Sequence, residues 1–175
     1  NTSGATGARI SGARDLYQWT AANQPILTIA AAGNYLTFDG SNDYLKAAAF
    51  ALAQPETVYF VGSQVTWTST DRLYDGNTGA SMTLRQVVGT PQLGITAGSS
   101  LNGASLTLAT NGVVTSVFNG ASSAVRVNRT AAITGDAGAL GNGGGFILGS
   151  ANDGTLNANI TAQEVLVYSG AHDKA

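Results

Sequence analysis

Two glutamates, Glu56 and Glu164, one histidine, His172, and no cysteine bound the chemistry open to this chain of 175 residues. Glycoside hydrolysis needs a pair of carboxyls, about 5–5.5 Å apart when configuration is retained and further apart when it is inverted. A serine nucleophile needs a positioned imidazole, and His172 stands beside Asp173 near the end of the sequence, a poor platform for a preorganised base. It reads as an ordinary exposed residue or the start of a helix. One histidine cannot make a histidine metal cluster, and without cysteine there is no thiolate nucleophile, thiolate zinc site or disulfide. From these counts the chain is expected not to be an enzyme.

Binding chemistry is better supplied. Calcium takes carboxylate, amide and carbonyl oxygens. Asp39, Asn42 and Asp43 offer such groups within one turn, Asp71, Asp75 and Asn77 form a second polar cluster, and Asn152 with Asp153 a third. Calcium at Asp39, Asn42 and Asp43 is the one cofactor these residues suggest; the alternative is Asx-turn chemistry, which asks for the same residue types. Sugar binding uses an aromatic ring as a stacking surface and polar side chains for the hydroxyls. Trp67, in the polar loop Thr66 to Arg72, is the first candidate, with Arg72, Asp75 and Asn77 beside it and Tyr17 with Trp19 as a second aromatic pair. The competing reading makes Trp67 and Trp19 plugs at the ends of the core, with Arg72 and Arg85 in surface ion pairs with Asp71 and Asp75.

These side chains must be carried by strands. Ser81 to Val87 alternates polar and apolar with period two, Thr57 to Val65 is β-branched and aromatic, and short runs recur at 36–38, 44–46, 72–74, 92–96, 105–109, 113–118, 124–128, 146–148, 155–160 and 164–168. Alternation of this kind marks a strand with one buried face. Asn102-Gly103, Asn111-Gly112 and Asn119-Gly120 supply residues that tolerate the positive φ of tight hairpins. Ala47 to Ala53 allows one helical turn ended by Pro55, and Gly141 to Gly145 reads as a linker loop. The pattern predicts an all-β fold, a two-sheet antiparallel β-sandwich (jelly roll), with residues 1–175 forming a single domain.

Only 10% of residues are charged, against about 25% in an ordinary soluble domain. The surface is therefore Ser, Thr, Asn, Gln, Gly and Ala, and weak self-repulsion favours assembly. A net charge of −2 with scattered basic residues argues against nucleic acid. No apolar run reaches the roughly 18 residues of a membrane span. The opening Asn1-Thr2-Ser3 has no signal-peptide character and reads as a mature product or an excised domain.

Tyr35-Leu36-Thr37-Phe38-Asp39-Gly40-Ser41-Asn42-Asp43-Tyr44-Leu45 resembles the strand pair of laminin-G-like, concanavalin-like jelly-roll domains found in bacterial surface proteins and phage structural proteins. Asp15 to Gln18, Thr20 to Pro25, Gln54 to Val61, Val113 to Asn128, Phe146 to Ser150 and Ile160 to Tyr168 are similar to further segments of that family, so the resemblance covers almost the whole chain. In many relatives a helix follows the last strand, and the sequence stops at Ala171 to Ala175, where it would begin. The family's glucanases carry Glu-x-Asp-x-Glu on one strand, a pattern that neither Glu56 nor Glu164 enters. The resemblance implies a noncatalytic carbohydrate-binding or adhesion module of a larger surface or phage protein. The alternative is a structural (decoration) domain contacting neighbouring protein subunits of a virion. Either setting is extracellular, at a cell surface or on a virion, with a glycan or protein subunits as partner.

Overall fold

The computed structural model describes residues 15–79 and 81–172. The opening Asn1 to Ser3 and the closing Asp173 to Ala175, including most of the expected helix start, lie outside the described residues. Two antiparallel sheets of seven strands face each other. Sheet A runs, edge to edge, β1 (Leu16–Tyr17), β4 (Leu45–Ala47), β13 (Phe146–Leu148), β6 (Arg72–Gly76), β7 (Thr83–Gln86), β8 (Gln92–Thr96) and β9 (Ser100–Ser105). Sheet B runs β12 (Ile133–Gly135), β11 (Ser123–Val127), β10 (Gly112–Phe118), β5 (Glu56–Gln64), β14 (Asn159–Ser169), β3 (Tyr35–Asp39) and β2 (Ile26–Thr28). The predicted two-sheet sandwich is therefore the observed architecture. Among the described residues no helix is long and apolar enough to cross a membrane.

The core follows from strand alternation. Phe38, Val58, Phe60, Val114, Phe118, Val125 and Ile160 point inward from sheet B, against Leu73, Tyr74, Leu84, Leu93, Ile95, Phe146 and Leu148 from sheet A. Tyr74 stacks on Phe146 with ring centroids 5.3 Å apart.

Three local expectations are corrected. Asn102-Gly103 is not a hairpin turn but lies inside β9; Gly98, at φ +106°, makes the reversal after β8, which moves this strand from the expected 105–109. Of the run 155–160 only Asn159 and Ile160 are strand, and they join the run 164–168 in one strand, β14, with a bulge between Ala162 and Glu164. One extra residue resets the alternation without ending the pairing. Ala47 to Ala53 forms no helical turn. Leu45–Ala47 joins sheet A, and the loop after it is tied to Asn142, which donates to Phe50 O at 2.9 Å and accepts from Leu52 N at 2.9 Å.

Candidate functional site

Trp67 sits on the loop that leaves β5. That loop is stapled from beneath by the buried side chain of Gln86 on β7. Its amide donates to Thr66 O and to Gln64 Oε1, each at 2.8 Å, and its carbonyl accepts from Thr68 N at 2.8 Å. Gln64 in turn donates to Leu106 O at 2.8 Å, so a fully paired glutamine couple joins the two sheets beneath the loop. Buried amides are tolerable in a core only when paired this way. Trp67 is partly exposed, and its indole N–H reaches Gln92 O at 3.4 Å.

Next to Trp67 the end of sheet A opens into a cavity of about 210 Å³ with mixed polar and apolar walls, formed by Ser69, Thr70, Arg85, Gln86, Gln92 and Asn102 together with Val87 and Val88. The spacing of two wall residues depends on Gly94. This residue pairs with Arg85 on one side and Asn102 on the other. A Cβ at Gly94 would lie 2.1 Å from Asn102 Oδ1 and 2.9 Å from Val87 Cγ1, so no side chain fits between them. The cavity has one cation, three amides and two hydroxyls, which is hydrogen-bonding equipment for a polyhydroxylated ligand.

The remaining sequence candidates scatter. Arg72 lies directly opposite Arg85, a residue of the cavity wall, across the β6–β7 pair. Asp75 does not serve the cavity. Asp75 is fully buried, and its carboxylate accepts from Gly76 N at 3.0 Å, Thr83 Oγ1 at 2.6 Å, Asn152 N at 3.0 Å and the Arg72 guanidinium. Asn77, just beyond β6, packs against Gly145 and donates its N–H to Asn142 O at 2.9 Å. Tyr17 and Trp19 do form a pair, with centroids 5.4 Å apart and Trp19 80% exposed. They stand at the β1 edge of sheet A, however, opposite the β8–β9 edge that carries the cavity. Trp67 and the Tyr17–Trp19 pair, two separate candidates in the sequence, lie far apart on sheet A.

The acidic turn is a capping device. Asp39 Oδ1 accepts from Ser41 N at 2.7 Å and Asn42 N at 3.3 Å, and Asp43 Oδ2 accepts from Asp39 N at 3.0 Å. Asp43 is buried, which pushes its carboxyl up; the Asp39 N–H opposes this and the Asp39 charge adds to it. Calcium asks for six to eight oxygens; of these two carboxylates, Asp39 Oδ1 and Asp43 Oδ2 are turned onto backbone donors. Asp153 likewise takes Thr155 N at 3.0 Å and Thr155 Oγ1 at 2.6 Å. Among the described residues no group of three or more His, Cys, Asp or Glu gathers to hold a metal.

His172 is exposed yet not loose. Its Nδ1 lies 3.1 Å from the Tyr59 hydroxyl, its ring packs 4.8 Å from that of Tyr168, and its N–H reaches Thr57 Oγ1 at 2.9 Å. These contacts place it on the outer face of sheet B. Glu56, the neighbour of Thr57, points to the inner face with Val58 and Phe60, so histidine and buried glutamate stand on opposite sides of one sheet. Arg85 is the residue sequence reasoning passed over. It was assigned to a surface ion pair, but only its register opposite Arg72 and Gly94 puts it on the cavity wall.

No protein-family model matches the chain, and no curated protein matches it in sequence. The fold is similar to solved chains of Trypanosoma rangeli sialidase. For the complex with sialic acid, the identity is 15% over 78% of this chain and 26% of that one, with a TM-score of 0.54. For the complex with the inhibitor DANA, the values are 14%, 83%, 26% and 0.53. This chain thus spans about a quarter of the length of the chains it resembles. At such identity the likeness is one of fold. Those chains are nevertheless of an enzyme, and the expectation of a non-enzyme is corrected on that finding. Counting glutamates and histidines tested only the mechanisms that use them.

Proposed function

We propose that this domain binds carbohydrate, through the cavity between Trp67, Arg85 and Asn102. The observation that carries the reading is the cavity itself: amide, hydroxyl and guanidinium groups on its walls, with a partly exposed tryptophan hydrogen-bonded to one of the wall residues. The similarity in fold to a sialidase chain described with sialic acid supports it. Kinship with laminin-G-like, concanavalin-like jelly rolls, a place as one domain of a larger protein and an extracellular setting at a bacterial surface or on a virion belong to the same proposal. The weakly charged surface supports that setting.

Glycan-array and calorimetric binding test it. Trp67→Ala is expected to weaken binding about tenfold, the loss of one aromatic contact worth about 1.4 kcal/mol. Trp19→Ala, at the far edge of sheet A, is expected to leave binding unchanged. Folded protein that binds nothing on a broad array would overturn the reading.

A second reading, subunit contact in an assembly, is favoured by one specific observation. Ile26 on the edge strand β2 and Ile29 just after it are 67% and 79% exposed. An exposed apolar edge is a template for another chain. Sedimentation should then show self-association that Ile26→Lys abolishes; a monomer at all concentrations would remove this reading.

A further inference from the structure

Arg85 on the cavity wall and Arg72 beside it are not equally answered. Arg72 and Arg85 stand directly opposite each other on neighbouring strands, a placement in which like charges oppose folding. Arg72 has its counter-charge: it is ion-paired with Asp75, and Asp153 feels its field. Arg85 has none. It donates to the Ser100 hydroxyl at 2.9 Å, its Nε is buried without a partner, and no carboxylate among the described residues forms an ion pair with it. Burial, and then the Arg72 charge, hold its guanidinium below the usual range; an arginine nonetheless remains charged in a protein. The result is a partly buried cation, uncompensated, on the wall of a cavity of about 210 Å³.

A merely structural residue at this position has no need of charge, since Ser100 can be met by any donor. An uncompensated guanidinium facing a cavity is what recognition of an oxyanion requires: planar, permanently charged and more weakly hydrated than an ammonium. Around it, Asn102, Gln92, Ser69 and Thr70 offer neutral donors and acceptors suited to hydroxyls.

We propose that this cavity takes an acidic sugar, with Arg85 receiving its carboxylate or sulfate group and the neutral side chains receiving its hydroxyls. The inference rests on the glycan-binding reading and narrows it to anionic glycans.

Calorimetric titration tests it with glucuronic acid, N-acetylneuraminic acid and galactose 6-sulfate, each beside its uncharged counterpart: the two methyl esters and galactose. The acidic members should bind at least tenfold more tightly than the uncharged ones, and the advantage should shrink as salt is raised. The carboxylate and sulfate arms show which anion is preferred. Arg85→Gln should abolish the advantage while leaving the weak binding of the uncharged sugars in place. The ester comparison uses the unaltered protein, so it decides the matter even if the variant folds poorly. Equal binding of charged and uncharged sugars, or an advantage that survives in Arg85→Gln, would overturn the acidic-sugar inference and leave carbohydrate binding standing. Failure of every sugar, charged or not, would overturn both.

Discussion

Asp75→Ala is expected to destabilise the fold by about 3–5 kcal/mol, the cost of leaving the partner of a buried ion pair uncompensated. The carboxylate is fully buried and collects four donors from three separate stretches: Arg72 and Gly76 on its own strand, Thr83 on β7, and Asn152 on the loop after β13. Removing it strips the Arg72 guanidinium, the Thr83 hydroxyl and the Asn152 N–H of this acceptor, while Gly76 N keeps Ser81 O at 2.8 Å, and the Arg72 charge, now unanswered, faces Arg85 across the strand pair. Asp75→Asn keeps the shape and part of the hydrogen bonding but still loses the charge, and should cost less. Urea unfolding at pH 7 measures both. A loss below about 1 kcal/mol for Asp75→Ala, the scale of an exposed ion pair, would show that this carboxylate is not the hub the geometry describes.

Glu56→Gln is expected to stabilise the protein at pH 8 by about 3 kcal/mol while changing little at pH 5. Glu56 points from β5 into the core, is fully buried, and neither carboxyl oxygen has a hydrogen-bond partner. The hydroxyls of Tyr74 and Ser116 are buried there without partners too, and the Tyr74 phenol is pushed up by burial, with the Ser116 hydroxyl opposing and the Glu56 charge adding. Burial raises the Glu56 carboxyl from its ordinary 4.5 to about 7. The folded state therefore holds the proton more tightly than the unfolded chain. This stability is complete below the unfolded value and is lost as pH rises from about 4.5 to about 7. Above that range the folded protein carries an unpaired charge between its sheets. The difference between wild type and Glu56→Gln isolates this group from Asp43 and Asp71, whose carboxyls burial also raises. Unfolding curves at pH 5 and pH 8 check it. A difference that does not grow with pH would mean that the carboxyl finds a partner or water.

Both positions were readable as residues and not as environments. Asp75-Gly76-Asn77 has the composition of a turn, and Asp75 was placed beside a ligand on that ground. In the structure Asp75 and Gly76 end β6. Glu56 follows Pro55 before an apolar run, and nothing local distinguishes a strand-entry glutamate in water from one aimed inward. The face it occupies is set by the register of β5 against β10 and β14, where Glu56 lies opposite Phe118 and Ser169. That register is set by contacts remote in sequence.

The period-two alternation of Ser81 to Val87, the β-branched run Thr57 to Val65 and the Asx-Gly punctuation were enough to determine, without coordinates, a two-sheet antiparallel sandwich, because alternation and turn chemistry act over a few neighbours. They also located the Asp39 to Asp43 turn, which is built from local hydrogen bonds, and singled out Trp67, whose loop is held by Gln86 and Gln92 from later strands. What only the tertiary structure decided is which of those side chains share a surface. Trp67 joined Arg85 and Asn102 because β5, β7 and β9 converge at one end of sheet A, while Trp19 went to the opposite edge. Asp75 was drawn under a loop some seventy residues later in the chain. Sheet order and pairing register arise from burying two apolar faces against each other, a long-range requirement that no short window of residues encodes.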